Sequence, residues 1–383
     1  MKKIAIIGGG ISGLYIANLL RQDTSYEIVV YEKNNTVNLE KGYGVQLSVN
    51  SINLLNKIGF QSVNIEKSFN PNKVDFYSLK NHRKICDLDI SIFNSDEAKY
   101  TTLERITLIN FLKNKIPNNL INYNKKVTKV NHELEKIEIT FEDNSLVECD
   151  YLIVSDGIFS STKSLISKKE IKPKYFNSIA VRATMHKDNL KEINLNNISL
   201  FLGSNLHTVL YPLDKNGRFN FISILKKNLT SLELKENTLF SSKAFMSSVL
   251  FEISKQLDLN MIKNLKDIKI FPVFVSSEIY HPKNKNIFLI GDSFFAFPPT
   301  FAQGASQSIE VAHELYKNLG SYNNQFKIER IKRTKMIDRK SKLNFFVFHL
   351  SNPLIVWLRN LIIKNLVKNK KFIDSYLGSI YKN

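Results

Sequence analysis

Cysteine is almost missing from this 383-residue chain: Cys86 and Cys149 are the only two, far apart and without a CxxC partner. That excludes a disulfide framework and a thiolate metal site, and both thiols read as ordinary strand residues in a reducing cytoplasm. Tryptophan occurs once, at Trp357. Long apolar runs are absent too, since none reaches the roughly eighteen residues a spanning helix needs. Acidic residues are outnumbered 35 to 54 by basic ones, giving a formal charge of +19. The lysines are scattered, and no zinc finger, RNP-type aromatic signature or basic helix with interleaved aromatics occurs, so no nucleic-acid partner is expected. Attraction of anionic small molecules is the simpler use of such a field.

What is present begins at once, in MKKIAIIGGGISGLYIANLL. A secretory signal fits poorly, because residues 8–10 are glycines that cut the apolar run far short of a signal core. The better reading is a buried strand over 4–7, a tight turn, and a helix over about 12–20. Gly8, Gly10 and Gly13 then have the GxGxxG spacing. In that arrangement Gly8 permits the sharp exit from the strand, Gly10 lets a pyrophosphate approach the backbone, and Gly13 lets helix and sheet pack closely. The helix N-terminus offers unpaired N–H groups and a positive dipole end. A second strand, YEIVVYEK, carries Glu32 nineteen positions after Gly13, where a carboxylate meets a ribose hydroxyl. The pattern predicts a dinucleotide site.

Further along, GYGVQL reads as a Gly-flanked strand or turn before a helix over 49–58, and VDFYSLK and KICDLDIS read as paired strands. Thr102 is a candidate N-cap for LERITLINFLKNKI, which puts Arg105 one turn into that helix. Short strands follow in NYNKKVTKV, KIEITFE and SLVECDYLIVSDG. From about 176 to 225 the pattern is mostly strand, then a helix is expected near 241–256, a strand in FPVFV, and helices from Gly304 onward. The length and this order predict an α/β chain whose nucleotide fold is interrupted by a sheet and resumes near NIFLIGD.

Four stretches refine the reading. LIVSDG sets Asp156 and Gly157 at the end of a strand. IGDSFFAFPPTFAQGA repeats the arrangement with Asp292, Pro298, Pro299, Gly304 and Ala305. Arg105 and the Gly44–Val45–Gln46 run complete the set. In order and spacing these resemble the single-component flavin hydroxylases of the para-hydroxybenzoate and salicylate hydroxylase type, over nearly the whole chain. The resemblance implies a glutathione-reductase-type FAD-binding domain over 1–175 and 267–325, with part of 60–100 contributing to the substrate region. It further implies a mainly antiparallel substrate sheet over 176–266 and a C-terminal helical segment over 326–383. It implies non-covalent FAD contacted by Gly8, Gly10, Ser12, Gly13, Glu32, Lys33, Gly44, Val45, Arg105, Asp156, Gly157, Asp292, Pro299, Gly304 and Ala305. NADH or NADPH would be the electron donor, and a flavin C4a-hydroperoxide would hydroxylate a small phenol or aromatic acid. Independently, a helix N-terminus after residues 300–304 suits the negative charge of a reduced flavin.

Two departures stand out. Phe295 occupies a position where those relatives usually have His, and Lys163 stands where the DG stretch often ends in Arg, keeping the charge but losing the bidentate fork that could bear on nicotinamide phosphate preference. On the substrate side, His207 and Tyr211 lie four apart on a predicted strand and share one face. The resemblance makes both catalytic, assisting deprotonation of a ring hydroxyl, and adds Arg182 and Pro298 as substrate contacts. Arg182 meets a carboxylate or is a solvated strand residue. His186, His281 and His313 are too dispersed for a metal site. Alternatives within the same flavin fold are a reductase or cyclase of isoprenoid or quinone-type substrates, and a non-catalytic FAD-binding protein; the single tryptophan argues against a flavin halogenase. The segment FFVFHLSNPLIVWLRNLIIKNLVKNKKF is apolar on one side and basic on the other, which suits packing on its own domain or shallow contact with anionic lipid. A monomer or a homodimer is expected.

Overall fold

The opening strand Lys2–Ile7 buries its last four residues and lies at the centre of a five-stranded sheet in the computed structural model. The structure describes residues 1–37, 43–63, 65–133, 135–236, 238–320 and 324–382, so Gly42 of the GYGVQL stretch lies outside the described residues. The sheet runs Ile287–Leu289, Tyr151–Val154, Lys2–Ile7, Tyr26–Tyr31, Ile121–Asn122, and every pairing is parallel. Chain order reverses beside Lys2–Ile7: the next strand in sequence flanks one side, and Tyr151–Val154 flanks the other after a long excursion. In open parallel sheets such a reversal leaves a crevice at the carboxyl ends of the strands.

The helix Ile11–Leu20 is apolar nearly all round and buried from Ser12 to Leu20. It can be so because the sheet lies on one side and the helices Arg105–Asn114 and Gly304–Asn318 on the other. Asn18, its fully buried amide, donates to the Leu14 and Leu112 carbonyls at 2.9 and 2.8 Å, so both of its N–H donors are paired.

A seven-stranded sheet forms the second layer, in the order Lys266–Val275, Lys174–His186, Arg218–Lys226, Leu206–Pro212, Ile198–Leu202, Lys73–Ser78, Lys84–Asp89. It extends beyond the expected 176–266 on both sides, recruiting the 73–89 hairpin through a parallel pairing and the strand Lys266–Val275 at the far edge. Alternation sorts its side chains. Ile179, Val181, Leu206, Leu210 and Phe221 pack with Val249 and Ile253 of the helix Lys243–Ser254. Ala180, Arg182, His207, Val209 and Tyr211 face the opposite way, into a cavity.

Three local readings change. Residues 101–104 form a strand, Thr101–Glu104, paired with Gly44–Leu47 and Ser68–Phe69, and the helix starts at Arg105 with Glu104 as N-cap. Thr102 is therefore no cap; its hydroxyl donates to the Pro212 carbonyl at 2.5 Å, where cross-strand pairing has overridden the helical pattern. Arg105 is the first residue of its helix rather than one turn in. The C-terminal region is two long helices, Asn324–Phe348 and Pro353–Leu366, followed by a helical stretch over 370–381, π-helical at Asp374–Gly378, that ends against the cavity. Buried Glu310, held by Arg330 and Arg333, ties the first of these to the helix Gly304–Asn318; the two guanidinium groups outweigh burial and lower its pKa.

Candidate active site

Two cavities open at the carboxyl ends of the parallel strands, and Arg105 lines both. The smaller, of about 210 Å³, is walled by residues 8–10, Glu32, Asn34, Asp156 and Gly157, with Lys33, Lys125 and Lys126 adding positive charge. Its shape depends on missing side chains. A Cβ at Gly8, which sits at φ +105°, would stand 2.6 Å from the Ser155 carbonyl oxygen, and one at Gly13 would stand 2.1 Å from the Gly8 oxygen. At Gly10 the nearest atom would be 4.0 Å away. Gly8 and Gly13 thus let backbone meet backbone, whereas Gly10 leaves its space open to a ligand. Gly10 is also the N-cap of Ile11–Leu20 and makes no side-chain cap bond, which suits an anion at that helix end.

Glu32 is buried and already oriented: the Gly9 N–H donates to one carboxylate oxygen at 2.8 Å, and the Asn34 N–H and side-chain amide donate to the other at 3.0 and 2.8 Å. Asp156 accepts from the Thr162 N–H at 3.4 Å, while its Oδ1 is buried without a partner. Burial raises its pKa, and the hydrogen bonds from Ser160 and Thr162 only partly offset this.

Arg105 marks the junction, and Asp292 lies on the wall beyond it. The surface Asp292 exposes belongs to the cavity, with protein packed around the rest, so burial pushes its pKa up to about 6 while Arg105 pulls it down. Next come Pro298, Pro299, Gly304 and Ala305, then the open end of the helix Gly304–Asn318. A Cβ at Gly304 would touch nothing within 4 Å, and the Nε2 of its N-cap, Gln303, is buried without a partner.

The larger cavity, of about 690 Å³, continues from there between the seven-stranded sheet and the C-terminal segment. His207, Val209 and Tyr211 line it from one strand. Both polar residues are deeply buried, at 1 % and 2 % exposure. Burial, aided by the neighbouring His349, holds His207 well below 6.5, so it is neutral at pH 7; burial raises Tyr211, so it keeps its proton. Around them stand Phe76, Leu88, Ile198 and Leu200. Arg182 is half-buried on the cavity wall: it donates to the Gly44 carbonyl at 3.2 Å, stacks 4.9 Å over the Tyr43 ring, and leaves its buried Nε without a partner. Gly44 is the other close approach, because a Cβ there would lie 2.6 Å from the Tyr211 hydroxyl. Its N–H donates to Asn220 at 2.7 Å, so the strand Gly44–Leu47, which carries Val45 on the cavity wall, is pinned to the seven-stranded sheet.

Several expected residues lie elsewhere. Ser12 and Gly13 are on neither wall; Gly13 serves packing, and Ser12 rests against Gly291. Phe295 points away from the larger cavity into an aromatic cluster with Phe297, so the residue beside the cavity is Phe297. Lys163 is buried and donates to the Ser293 carbonyl at 3.2 Å, with desolvation lowering its pKa, so it ties the helix Ser161–Ser167 to the turn Gly291–Ser293. Sequence reasoning also missed His349, whose Nε2 lies 2.8 Å from His207 Nδ1, and Tyr376, Leu377 and Tyr381, which close the chamber from the chain's far end. The aromatic run FFVFHL was the available signal, but nothing local says which strand it meets.

FAD fits what is present: an opening above Gly10, an unpartnered Asp156 oxygen, a shared arginine, and an uncapped helix end over Gly304 form one path. The FAD binding domain family matches residues 1–330 of the chain. The 3-amino-4-hydroxybenzoate 2-monooxygenase PtnB3 of Streptomyces platensis is 23 % identical over 91 % of this chain and 89 % of its own. The 6-hydroxynicotinate 3-monooxygenase of Pseudomonas fluorescens is 23 % identical over 92 % and 93 %. Among solved structures, Klebsiella pneumoniae HpxO complexed with FAD and uric acid superimposes with a TM-score of 0.80 at 15 % identity, covering 98 % of this chain and 97 % of that one.

Proposed function

Because the chain belongs to the FAD binding domain family and is an FAD-dependent monooxygenase, we propose that it hydroxylates a small phenol or aromatic acid held in the larger chamber. The observation that carries this reading is the junction at Arg105, where a backbone-lined nucleotide chamber opens into an apolar chamber wide enough for a ring. Gly10 and the first amides of Ile11–Leu20 would receive the pyrophosphate, Glu32 the adenosine ribose, Asp292 a ribityl hydroxyl, and the helix end at Gly304 the electron-rich edge of the ring system. When bound, FAD supplies the redox and oxygen-transfer chemistry, with NADH or NADPH giving the electrons and dioxygen the oxygen atom.

The protein's own contribution is orientation, water exclusion and proton handling. The aliphatic wall at Ile198, Leu200 and Val209 holds the substrate ring in a low-dielectric space. Neutral His207 accepts the phenolic proton and makes the ring more nucleophilic, while Tyr211, which stays protonated, donates a hydrogen bond. Arg182 is a fixed cation at the end of the chamber for a substrate carboxylate. Dependence on reduced nicotinamide suits a cytoplasmic setting. The test is a panel of phenols and aromatic acids scored for stimulated NAD(P)H oxidation, with product mass spectrometry. A product heavier by one oxygen atom is expected, and reduction or cyclisation without oxygen gain would overturn the reading.

A further inference from the structure

The helix Pro353–Leu366 turns most of its apolar side chains to the outside. Leu354, Ile355, Trp357, Leu358, Leu361 and Ile362 are 45–73 % exposed. Five of the six follow the i, i+1, i+4, i+7, i+8 spacing that gathers side chains into one stripe, and Trp357 lies beside it. In a helix that serves only its own domain such a stripe faces the core. The inner side carries half-buried Val356 and Ile363 around one fully buried residue, Arg359, 5 % exposed, whose Nη1 donates to the Val347 carbonyl at 3.2 Å and whose Nε and Nη2 donate to the Asn360 side chain at 3.0 and 2.9 Å. No carboxylate among the described residues pairs with it. The helix before it adds exposed Leu343 and Phe346. Contiguous apolar surface of this extent marks an interaction face.

Charge identifies the occupant. Between Asp338 and Asp374 the chain has eight Lys or Arg and no Asp or Glu. Lys364, Lys368, Lys370 and Lys371, all exposed, follow the apolar stripe directly. A second copy would bring an equally basic face against this one and be repelled. A negatively charged headgroup layer would attract the lysines while the stripe enters the acyl boundary, with the indole of Trp357 at the interface. No helix among the described residues is long and apolar enough to cross a membrane. We propose that Pro353–Leu366 docks this protein in-plane on an anionic lipid surface. The proposal is independent of the substrate, since none of the stripe residues lines the cavity.

Trp357 is the only tryptophan, so its emission reads this contact directly. The FAD-loaded full chain is titrated with phosphatidylcholine vesicles and with phosphatidylcholine–phosphatidylglycerol vesicles, and binding is scored in parallel by flotation. Expected are a blue shift and flotation with the anionic vesicles, both weakened by salt, and little of either with phosphatidylcholine alone. The double variant Leu358→Glu, Leu361→Glu is expected to weaken vesicle binding by about tenfold or more while flavin absorbance and NAD(P)H oxidation stay unchanged. Unshifted emission and no flotation with anionic vesicles would overturn the proposal, as would anionic-vesicle binding that the double variant leaves intact. A dimer in sedimentation velocity with Trp357 already blue-shifted without lipid would likewise overturn it, in favour of a second copy.

Discussion

The two chambers that meet at Arg105 are made of different material. Around the smaller one the decisive contacts are main-chain: the Ser155 carbonyl under Gly8, the Gly8 carbonyl under Gly13, the Gly9 amide on Glu32. Around the larger one they are side chains brought from the 43–46 strand, the seven-stranded sheet, the 296–305 turn and the C-terminus. A site built on backbone tolerates almost no substitution at a few spaced positions. A site built from side chains tolerates many substitutions, each of which alters what it holds.

Gly13→Ala breaks the first kind of site most severely. With 2.1 Å to the Gly8 oxygen and 2.5 Å to Ser155 Oγ, the helix must move off the sheet, at a cost of about 3 kcal/mol in denaturant unfolding together with loss of FAD from the purified protein. A Gly13→Ala protein that stays yellow and as stable as wild type would contradict the backbone account. The corresponding blow to the second chamber leaves the fold alone: His207→Ala is expected to lower kcat about 100-fold with FAD affinity retained, measured by stopped-flow absorbance and product yield.

His349→Phe sharpens the comparison, because His349 touches His207 and does not itself line the chamber. It should lower kcat about tenfold with KM little changed, because Phe removes the 2.8 Å hydrogen bond that fixes the ring and tautomer of His207. Rescue of kcat by His349→Gln, which can again hydrogen-bond His207, separates this positioning role from a merely structural one. Burial, with Lys226 nearby, lowers His349 itself to about 3, so it is neutral at pH 7 and acts through that hydrogen bond rather than through charge.

Asp292 offers a pH test at the boundary. Its folded-state pKa, about 6, lies above the ordinary carboxylate value of 3.8, so the folded apo-protein holds that proton more tightly than the unfolded chain. The associated stability is fully present below the unfolded value and disappears as pH rises through about 6. Thermal midpoints of the apo-protein should therefore fall less over this interval in Asp292→Asn than in wild type. The smallest effect on stability belongs to Gly304→Ala, whose new methyl group meets nothing: apo-protein stability should change by no more than about 0.5 kcal/mol. FAD affinity, measured by fluorescence titration, should nevertheless fall, because that empty space is where the ring system would lie.

The α/β class, the glycine turn, Glu32 and the two strand-end aspartates were legible because each follows from local rules: a period-two run, a glycine spacing, a carboxylate at a set distance along the chain. The shared face of His207 and Tyr211 was legible for the same reason, since strand geometry alone puts residues four apart on one side. Thr102 misled because a helical pattern of apolar residues continues through a segment that cross-strand pairing claims first. Phe295 and Lys163 were matched by position, but position along a turn does not say which way a side chain points.

Local periodicity and turn chemistry determined the nucleotide half of this protein, because the phosphate cradle proposed there is built from consecutive backbone groups. Only the tertiary structure decided that His349 would meet His207 and that Tyr381 would close the chamber. It also decided that Arg359 would be buried while Trp357 faces outward. Contacts between residues more than a hundred positions apart are selected by the packing of whole layers, and no short window of sequence contains both partners.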